Sequence, residues 1–296
     1  MALGGNALGS TYLEQQNLIK EAAGSLIDLF KDNEVVITHG NGPQVGMITK
    51  SFADDNILMP LDVCTAMSEG YIGFHIQKII KEELLKQKIN RDVVTLVTEV
   101  LVDENDSSFK NPSKPIGKFY TKEEAEELQK NSTDKYVEDA GRGYRKVVAS
   151  PVPLDISNIR SMETLLKNGS IVVACGGGGV PVVNDQNKTG VDAVIDKDLA
   201  SALLATKLHA DKLIILTAVD QVMLNFGTDK AKGLDKLSVI EAEENMKNDE
   251  FKKGSMLPKI KAALEFTKAT GKETIITSLA NINNIKTNKK ITIIYK

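Results

Sequence analysis

The chain is poor in the residues on which several protein classes depend. Its 296 residues contain two cysteines, three histidines and no tryptophan. Two thiols cannot build a disulfide framework, and the lack of a CxxC pair or a Cys/His cluster argues against a structural zinc site. Cys64 and Cys175 lie among apolar neighbours. We therefore expect both thiols to be buried and reduced.

Long apolar runs and an excess of one charge are also missing. No run approaches the roughly 20 apolar residues of a membrane-spanning helix, and the first residues lack the basic and apolar regions of a signal peptide. The 37 basic and 40 acidic residues leave a net charge of −3. This balance argues against nucleic acid or an anionic membrane as a partner. We expect a cytoplasmic protein.

A P-loop is absent as well, because no glycine-rich run ends in Gly-Lys-Ser or Gly-Lys-Thr. Three other glycine clusters lie at or near the ends of short apolar runs: Gly4-Gly5-Asn6, Gly40-Asn41-Gly42 and Gly176-Gly177-Gly178-Gly179. Glycine at the carboxyl end of a strand leaves backbone N–H groups open to an anion, and the dipole of a following helix favours negative charge. One such cluster is usually a turn, whereas three together predict an enzyme that handles phosphate.

Strand-like and helix-like segments alternate along the chain. The apolar spacing predicts a helix after the capping box of Thr11 and Glu14, helices over 62–87, 198–208 and 258–270, and strands over 35–38, 93–102, 170–174, 213–217, 274–277 and 290–295. This alternation predicts an α/β fold, a three-layer α/β/α sandwich around a mostly parallel central sheet. The β-branched run 93–102 predicts a central strand. The helix over 62–87 is apolar on most sides, which predicts burial inside the domain or against a second subunit.

Residues 103–146, which we call the flap, interrupt this rhythm. The segment is crowded with charge, yet it contains prolines, glycines and five aromatic residues. So many aromatic and turn-forming residues predict a protruding lid subdomain. A solvated insertion is the simpler alternative.

Lysines beside aspartate, glycine or proline are the candidate catalytic groups. Without a P-loop, phosphoryl transfer has to collect positive charge from separate lysines, backbone amides and Mg²⁺. Lys197 lies between Asp196 and Asp198, where a carboxylate would keep its ammonium protonated and aimed. Lys259 stands at another predicted helix start, and Lys114 lies in the flap. Each of these lysines alone could be a surface charge. Together with the three glycine clusters, which could bind an anion, they favour a functional role.

His39 directly precedes the second glycine cluster and would stand near a bound phosphate. It could be a phosphorylated nucleophile or an acid–base group. A histidine hydrogen-bonded to the loop backbone is the more common arrangement. No serine or cysteine nucleophile motif is present, so the sequence favours direct transfer between two bound substrates.

Longer motifs carry a family resemblance. They include THGNGPQVG at 38–46, ACGGGGVPV at 174–182, GVDAVIDKDLA at 190–200 and GSMLPK at 254–259, with shorter ones at 2–8, 60–68, 114–117 and 216–220. In this order, over nearly the whole chain, they resemble the carbamate kinases, members of the amino acid kinase family. The resemblance implies the amino acid kinase fold, a homodimer and reversible phosphoryl transfer between carbamoyl phosphate and MgADP. In cells such enzymes make ATP and carbamate in the last step of arginine fermentation.

The resemblance also implies roles for individual residues. The positions that would hold the phosphoryl group and the carbamate are Gly4, Gly5, Asn6, Gly40, Asn41, Gly42, Gly176 and Gly177. Lys197 and Lys259 would neutralise phosphate charge, Asp198 would orient both lysines, and Lys114 would reach carbamoyl phosphate from the flap. The nucleotide would be held by Ala218, Asp220, Ser255, Met256 and Lys259, and Mg²⁺ mainly by the nucleotide phosphates.

The implied organisation is a single domain over 1–296. A carbamoyl-phosphate lobe would cover 1–185, including the flap, and a nucleotide-binding lobe would cover 186–296. Two positions depart from the family pattern: Leu257 stands where glycine is common, and Lys118 stands where proline is usual.

Other functions remain open at this point. An acetylglutamate or nucleoside monophosphate kinase would share the glycine loops. A dinucleotide-binding dehydrogenase would use Gly40-x-Gly42 and needs an acidic residue at the end of a strand about 20 residues later, but Asp62 falls at a predicted helix start. A regulatory protein of the same fold would not need Lys197, Asp198 and Lys259 together.

Overall fold

The computed structural model describes residues 1–4, 11–55, 57–139, 141–251 and 255–296. Its helices are α1 (Tyr12–Asp32), α2 (Gly42–Asp54), α3 (Leu61–Lys86), α4 (Lys122–Lys130), α5 (Ile159–Lys167), α6 (Lys197–Lys207), α7 (Val239–Lys247) and α8 (Met256–Thr270). Its strands are β1 (Ala2–Leu3), β2 (Val36–His39), β3 (Val93–Thr95), β4 (Glu99–Val102), β5 (Lys114–Tyr120), β6 (Lys135–Glu138), β7 (Tyr144–Val148), β8 (Pro153–Ile156), β9 (Ile171–Val173), β10 (Val180–Val183), β11 (Leu213–Thr217), β12 (Val222–Leu224), β13 (Lys232–Leu234), β14 (Lys236–Ser238), β15 (Thr274–Ser278) and β16 (Thr292–Tyr295).

The central sheet has eight strands in the order β14-β16-β15-β11-β1-β2-β9-β3. Neighbouring strands run parallel, except that β15 and β16 are antiparallel. The short strand β1 lies between β11 and β2, with Ala2 opposite Ile215 and Thr38. This mostly parallel sheet confirms the predicted α/β class.

Helices cover both faces of this sheet, because successive strand residues point to opposite faces. Leu3 packs with α1 and α3 in one apolar core, whereas the adjacent Ala2 packs with α6 and α8 in another. A third core joins β4, β9, α5 and α6. The predicted three-layer arrangement is therefore confirmed, and burial of these apolar side chains is its main source of stability.

Local sequence signals set the helix ends. The Thr11 hydroxyl accepts the N–H of Glu14, and the Glu14 carboxylate accepts the N–H of Thr11, so the predicted capping box starts α1. Gly271 ends α8 with a φ of 72°, in the left-handed region that favours glycine. Cys64 and Cys175 are buried free thiols, as expected.

The predicted central strand over 93–102 is wrong, because the chain divides there between two sheets. Strand β3 is an edge of the central sheet, and β4 is the middle of a separate sheet of order β10-β4-β8. Between them Thr98 donates its N–H to the buried side chain of Glu69 at 2.7 Å instead of to a neighbouring strand. β-Branched residues suit either sheet, so composition does not reveal the break.

The expectation that an α-helix follows the third glycine cluster is also wrong. Gly176–Gly178 forms a 3₁₀ turn that leads into β10. The second cluster does lead into a helix, since Gly42 is the first residue of α2.

Helix α3 is buried along most of its length but not on every side. Ile72, Ile76 and Ile80 belong to the first core. Val63, Met67 and Phe74 fall on one face by their spacing, and that face is partly open, with Phe74 57% exposed. In the part of the chain that the structure describes, no helix, α3 included, is long and apolar enough to cross a bilayer.

The flap contains an ordered sheet of its own, as expected for a small subdomain. Strands β5, β7 and β6 pair antiparallel, and α4 packs against β6 and β7. The ring of Phe119 lies 4.8 Å from the guanidinium of Arg142 and 5.1 Å from that of Arg145, which are cation–π distances. Lys118 Nζ lies 4.6 Å from the ring of Tyr120. Strand β7 runs to Val148, two residues beyond the expected end of the flap.

The flap rests on α2 through two glycine backbones. A Cβ placed on Gly46 would lie 2.3 Å from the Cα of Gly117, which is closer than any side chain tolerates. Gly117 itself has a φ of 71°, a conformation that other residues adopt only with strain. Glycine at both positions therefore sets how closely the flap approaches the domain.

Replacing Gly46 with Ala should loosen the flap, because the added methyl group has no space against the backbone of Gly117. We expect a lower Tm and faster cleavage of the flap in limited proteolysis. The matched control is Gly24→Ala in α1, where the methyl group meets nothing within 4 Å and should stabilise the helix by about 0.5–1 kcal/mol. Unchanged protease resistance of the flap in Gly46→Ala would contradict this role of the contact.

Candidate active site

Helix α6 begins with the predicted lysine–aspartate pair. Asp196 caps the helix by accepting the N–H of Asp198 at 2.9 Å. The carboxylate of Asp198 lies 2.5 Å from Lys197 Nζ and 3.1 Å from Lys259 Nζ. Lys259 comes from the first turn of α8. The starts of two helices thus bring three predicted catalytic residues into contact.

All three charged groups are largely removed from water. The exposed fraction of the side chain is 4% for Asp198, 12% for Lys197 and 13% for Lys259. Burial by itself raises the pKa of Asp198, but the two ammonium groups outweigh it and lower that pKa to about 2. Burial also lowers the pKa of Lys197, although Asp198 opposes this. One carboxylate between two ammonium groups leaves a surplus positive charge that suits a phosphate.

Lys114 reaches the same place from the flap. Its Nζ lies 2.7 Å from Oδ2 of Asp196, while Oδ1 of Asp196 caps α6. One carboxylate therefore joins the flap to the helix that carries Lys197 and Asp198. Lys114, Lys197, Asp198 and Lys259 belong to one connected group, which we call the lysine cluster.

The glycine clusters meet at one edge of the central sheet. They follow β1, β2 and β9, which are parallel neighbours, so their carboxyl ends lie side by side. The N–H of Gly40 donates to the carbonyl of Leu3 at 3.3 Å. A Cβ on Gly177 would lie 2.1 Å from Asn41 Nδ2, so the second and third clusters are in direct contact. We call this place the glycine edge.

The first cluster is described only at Gly4. A Cβ there would lie 2.8 Å from the carbonyl oxygen of Leu216, so the backbone is tightly packed against β11. The predicted binding residues Gly5 and Asn6 lie outside the described residues.

The second cluster places a helix N-terminus at the glycine edge. Asn41 precedes α2, but its side-chain amide donates to Ser68 Oγ at 2.8 Å and does not cap the helix. The N–H groups of the first turn of a helix have no acceptor within it, and the helix dipole is positive there. Gly42 and its neighbours therefore offer the environment that an anion requires.

His39 is buried at this edge and is uncharged. Its Nδ1 lies 3.0 Å from the carbonyl oxygen of Gly40. A carbonyl only accepts, so Nδ1 carries the proton and donates. Burial lowers the pKa of His39 to about 4, although the bond to Gly40 opposes this. The predicted bond to the loop backbone is therefore present.

A cavity of about 530 Å³ lies beside the lysine cluster, a size typical of small-molecule sites. Four of the five predicted nucleotide-binding residues line it: Ala218, Ser255, Met256 and Lys259. Much of the remaining lining is apolar, including Leu3, Leu18, Leu216, Met223, Phe226, Phe251 and Leu279. Because Lys259 also contacts Asp198, the cavity is continuous with the lysine cluster.

The fifth predicted nucleotide residue, Asp220, lies outside the described lining of the cavity. Its carboxylate accepts a hydrogen bond from Ser278 Oγ at 2.6 Å. Leu257, where the family commonly has glycine, packs against the apolar core beneath α8.

Residues that the sequence analysis did not select also shape the glycine edge. Ser68 and Glu69 of α3 are buried there, and Thr98 links Glu69 to the third glycine cluster. The one available signal was an acidic residue in the middle of an apolar helix. A single charge of this kind in a sequence does not say what it contacts.

Comparison with known proteins agrees with this geometry. The family model described as "Amino acid kinase family" matches residues 1–278. The chain belongs to the amino acid kinase family. Carbamate kinases are among the relatives that it resembles.

The similarity to these relatives extends over nearly the full length. Carbamate kinase 2 of Staphylococcus epidermidis is 50% identical over 292 residues, which cover 96% of this chain and 94% of the relative. The carbamate kinase of Staphylococcus haemolyticus is 49% identical over 304 aligned positions, which cover 100% of this chain and 98% of the relative. The structure of carbamate kinase from Giardia lamblia bound to AMP-PNP superposes with a TM-score of 0.90 at 41% identity, covering 100% of this chain and 97% of that one.

Replacing Asp198 with Asn should destabilise the folded protein, because two nearly buried ammonium groups lose their counter-charge. Removing one partner of a buried ion pair typically costs about 3–5 kcal/mol. The folded pKa of about 2 lies below the usual 3.8. The contribution of Asp198 is thus fully present above pH 4 and is lost as the pH falls towards 2.

Thermal unfolding of both proteins at pH 7 and near pH 2 measures this effect. The difference in Tm should be large at pH 7 and shrink in acid. Asp28→Asn, in an exposed pair with Lys31, is the control and should change Tm little. Equal Tm values for the two variants at pH 7 would mean that Asp198 does not compensate the lysines.

Proposed function

We propose that the protein is a carbamate kinase, which transfers a phosphoryl group reversibly between carbamoyl phosphate and ADP to give ATP and carbamate. The observation that carries this proposal is the lysine cluster, which lies between the flap and the cavity. Relatives at 49–50% identity over nearly the whole chain support the same reaction.

Electrostatic stabilisation explains how these residues would promote transfer. A loose, in-line transition state spreads negative charge over the phosphoryl oxygens, so the protein has to supply position and positive charge more than a base. Lys197 and Lys259 supply that charge in a site where little water competes. Asp198 fixes both ammonium groups before the substrate arrives, so little reorganisation is needed during the reaction. The neutral His39 is not required as a nucleophile.

The carbamoyl-phosphate side of the site is assigned to the glycine edge and to Lys114. Gly40, Asn41, Gly42, Gly176 and Gly177 let backbone N–H groups approach an anion closely, and the start of α2 adds its dipole. Lys114 brings a further ammonium group from the flap. This division follows the proposed lobes, with carbamoyl phosphate held by residues within 1–185 and the nucleotide held mainly by residues within 186–296.

The nucleotide is assigned to the cavity, because an apolar wall that ends at a lysine suits a flat base followed by phosphates. Ala218, Ser255, Met256 and Lys259 would contact it, and Asp220 would act from outside the described lining. Within the described residues no three His, Cys, Asp or Glu side chains converge on one point as in a metal site made by protein alone. Mg²⁺ would be held mainly by the nucleotide phosphates, which it commonly uses as ligands, and it would neutralise part of their charge.

The alternative functions are less well supported. The glycine edge alone suits an acetylglutamate or nucleoside monophosphate kinase, but the identity to carbamate kinases extends over the whole chain. A dehydrogenase needs an acidic residue at the end of a strand, whereas Asp62 lies in the first turn of α3. The intact lysine cluster argues against a regulatory protein that has lost catalysis.

We further propose that the protein assembles as a homodimer. Val63, Met67 and Phe74 leave one face of α3 partly open, and a homodimer would cover this apolar face. Light scattering of the purified protein tests this, and a monomeric mass would contradict it. We place the enzyme in the cytoplasm, where it would form ATP as the last step of arginine fermentation.

Purified protein should convert carbamoyl phosphate and MgADP to ATP in a coupled luminescence assay. Lys197→Ala is the control for contaminating kinases and should lower turnover by roughly 10²–10³, the usual loss for one preorganised charge-stabilising group. Acetylglutamate, aspartate, glutamate and UMP should not accept phosphate from ATP. Activity on any of these acceptors, with none on carbamoyl phosphate, would overturn the assignment.

Substitutions of Lys114 and Lys259 should weaken the use of different substrates. Lys114→Ala should raise KM for carbamoyl phosphate and leave the Kd of MgADP unchanged, because Lys114 reaches the site from the flap. Lys259→Ala should weaken MgADP binding and turnover together, since Lys259 lines the cavity. Lys122→Ala, an exposed lysine of α4, is the control and should change neither constant. Equal loss of ADP affinity in Lys114→Ala and Lys259→Ala, measured by calorimetric titration, would contradict the division.

A further inference from the structure

Glu69 is a buried acid that has no role in the reaction proposed above. It lies in α3, and only 1% of its surface is exposed. Its Oε2 accepts the N–H of Thr98 at 2.7 Å. Its Oε1 has no hydrogen-bond partner among the described residues. With a single N–H donor on the carboxyl group, a negative charge on Glu69 would be poorly compensated in this buried place.

The partner of Glu69 connects it to the third glycine cluster. Thr98 uses its N–H for Glu69 and its carbonyl to accept the N–H of Val180 at 2.8 Å. Its hydroxyl oxygen accepts the N–H of Cys175 at 3.1 Å. Cys175 has a φ of 50° and directly precedes Gly176. Thr98 therefore holds both ends of the segment 175–180, and Glu69 holds Thr98.

Glu69 also touches the glycine turn directly. A Cβ on Gly176 would lie 3.1 Å from Glu69 Cγ and 2.4 Å from His39 Nε2. The turn is thus enclosed between Glu69 of α3 and His39 of β2. The Glu69 side chain therefore packs against the backbone that the proposed function assigns to the phosphoryl group.

We propose that Glu69 is a positioning residue which, through Thr98 and Cys175, holds the turn of Gly176 and Gly177 in the shape that receives the phosphoryl group. This inference rests on the proposed function for its catalytic consequence, but the hydrogen bonds that define it do not. Glu69 acts through Thr98 and Cys175 and does not itself need to contact the substrate.

The surroundings of Glu69 explain why the neutral form is held. The titratable groups that face it are His39 from β2 and Cys175 before the turn, and burial keeps the imidazole and the thiol uncharged. Within the described residues no cation pairs with Glu69. Burial therefore raises its pKa well above the usual value, and the N–H of Thr98 offsets this only in part.

A neutral buried acid has a definite effect on stability. Above pH 4.5 the unfolded chain releases the Glu69 proton, whereas the folded protein keeps it. Folding then has to take up a proton, so the stability of the folded state decreases as the pH rises, until the folded pKa is reached. Glu69→Gln removes this proton uptake, because the amide has the same shape and is neutral at every pH.

The test compares the wild type with Glu69→Gln, Glu69→Ala and Glu82→Gln. Glu82 is an exposed residue of the same helix and provides the matched control. The Tm of Glu69→Gln minus that of the wild type should be larger at pH 8 than at pH 5 by at least about 2 °C. The same difference for Glu82→Gln should not vary in this way.

Hydrogen exchange tests the positioning itself without any substrate. In Glu69→Ala the amides of Thr98 and Cys175 should exchange faster than in the wild type, while those of the distant strands β15 and β16 should keep their protection. In Glu69→Gln both amides should remain protected. Turnover with carbamoyl phosphate and MgADP should fall by about 10²-fold in Glu69→Ala, as for a small misplacement of catalytic groups, and recover in Glu69→Gln.

Two results would overturn this inference. A Tm difference between Glu69→Gln and the wild type that is independent of pH would mean that Glu69 is ionised in the folded protein. Unchanged exchange at Thr98 and Cys175 in Glu69→Ala would mean that it does not hold the turn.

If the wild type had no activity with carbamoyl phosphate, the proposed function would fail, but the Tm and exchange measurements would still decide the role of Glu69. Because Glu69→Gln keeps the shape of the side chain, these measurements do not depend on whether Glu69→Ala folds.

Discussion

The contact of the Asp198 carboxylate with Lys197 and Lys259 is the constraint on which the site depends. Two ammonium groups this close would repel each other, and burying them without a counter-charge would cost several kcal/mol. Asp198 makes the arrangement possible, and one surplus positive charge remains in the group. The arrangement also requires that the first turns of α6 and α8 approach each other. The packing of these two helices on one face of the central sheet achieves this.

Close backbone approach is the second requirement. At the glycine edge the chain passes within contact distance of itself, and side chains at Gly176 or Gly177 would collide with His39 or Asn41. The same principle governs the contact of Gly46 with Gly117, which seats the flap on α2. Glycine in this protein therefore allows close backbone approach at the glycine edge in one place and joins the flap to α2 in another. A sequence shows the glycines but not which of these purposes each one has.

Helices, most strands and the Lys197–Asp198 pair could be predicted because their signals are local or repeated. The capping box at Thr11, the apolar spacing of α1 and the run Ile195-Asp196-Lys197-Asp198 each act within a few residues. The break between β3 and β4 could not be predicted, because it depends on the contact of Thr98 with Glu69, 29 residues away. The pairing of Lys114 with Asp196, 82 residues away, and the position of Asp220 outside the described lining of the cavity are likewise decided by tertiary contacts. Motif spacing carries no information about them.

Asp196 links the flap to the start of α6. One oxygen of its carboxylate caps α6 and so helps to fix the helix start that carries Lys197 and Asp198, while the other oxygen holds Lys114 of the flap. The flap is therefore tied to the rest of the domain at two places, to the start of α6 through Lys114 and Asp196 and to α2 through Gly117 and Gly46. Because Asp196 makes both the cap of α6 and the contact with Lys114, the start of this helix and the position of Lys114 depend on one carboxylate.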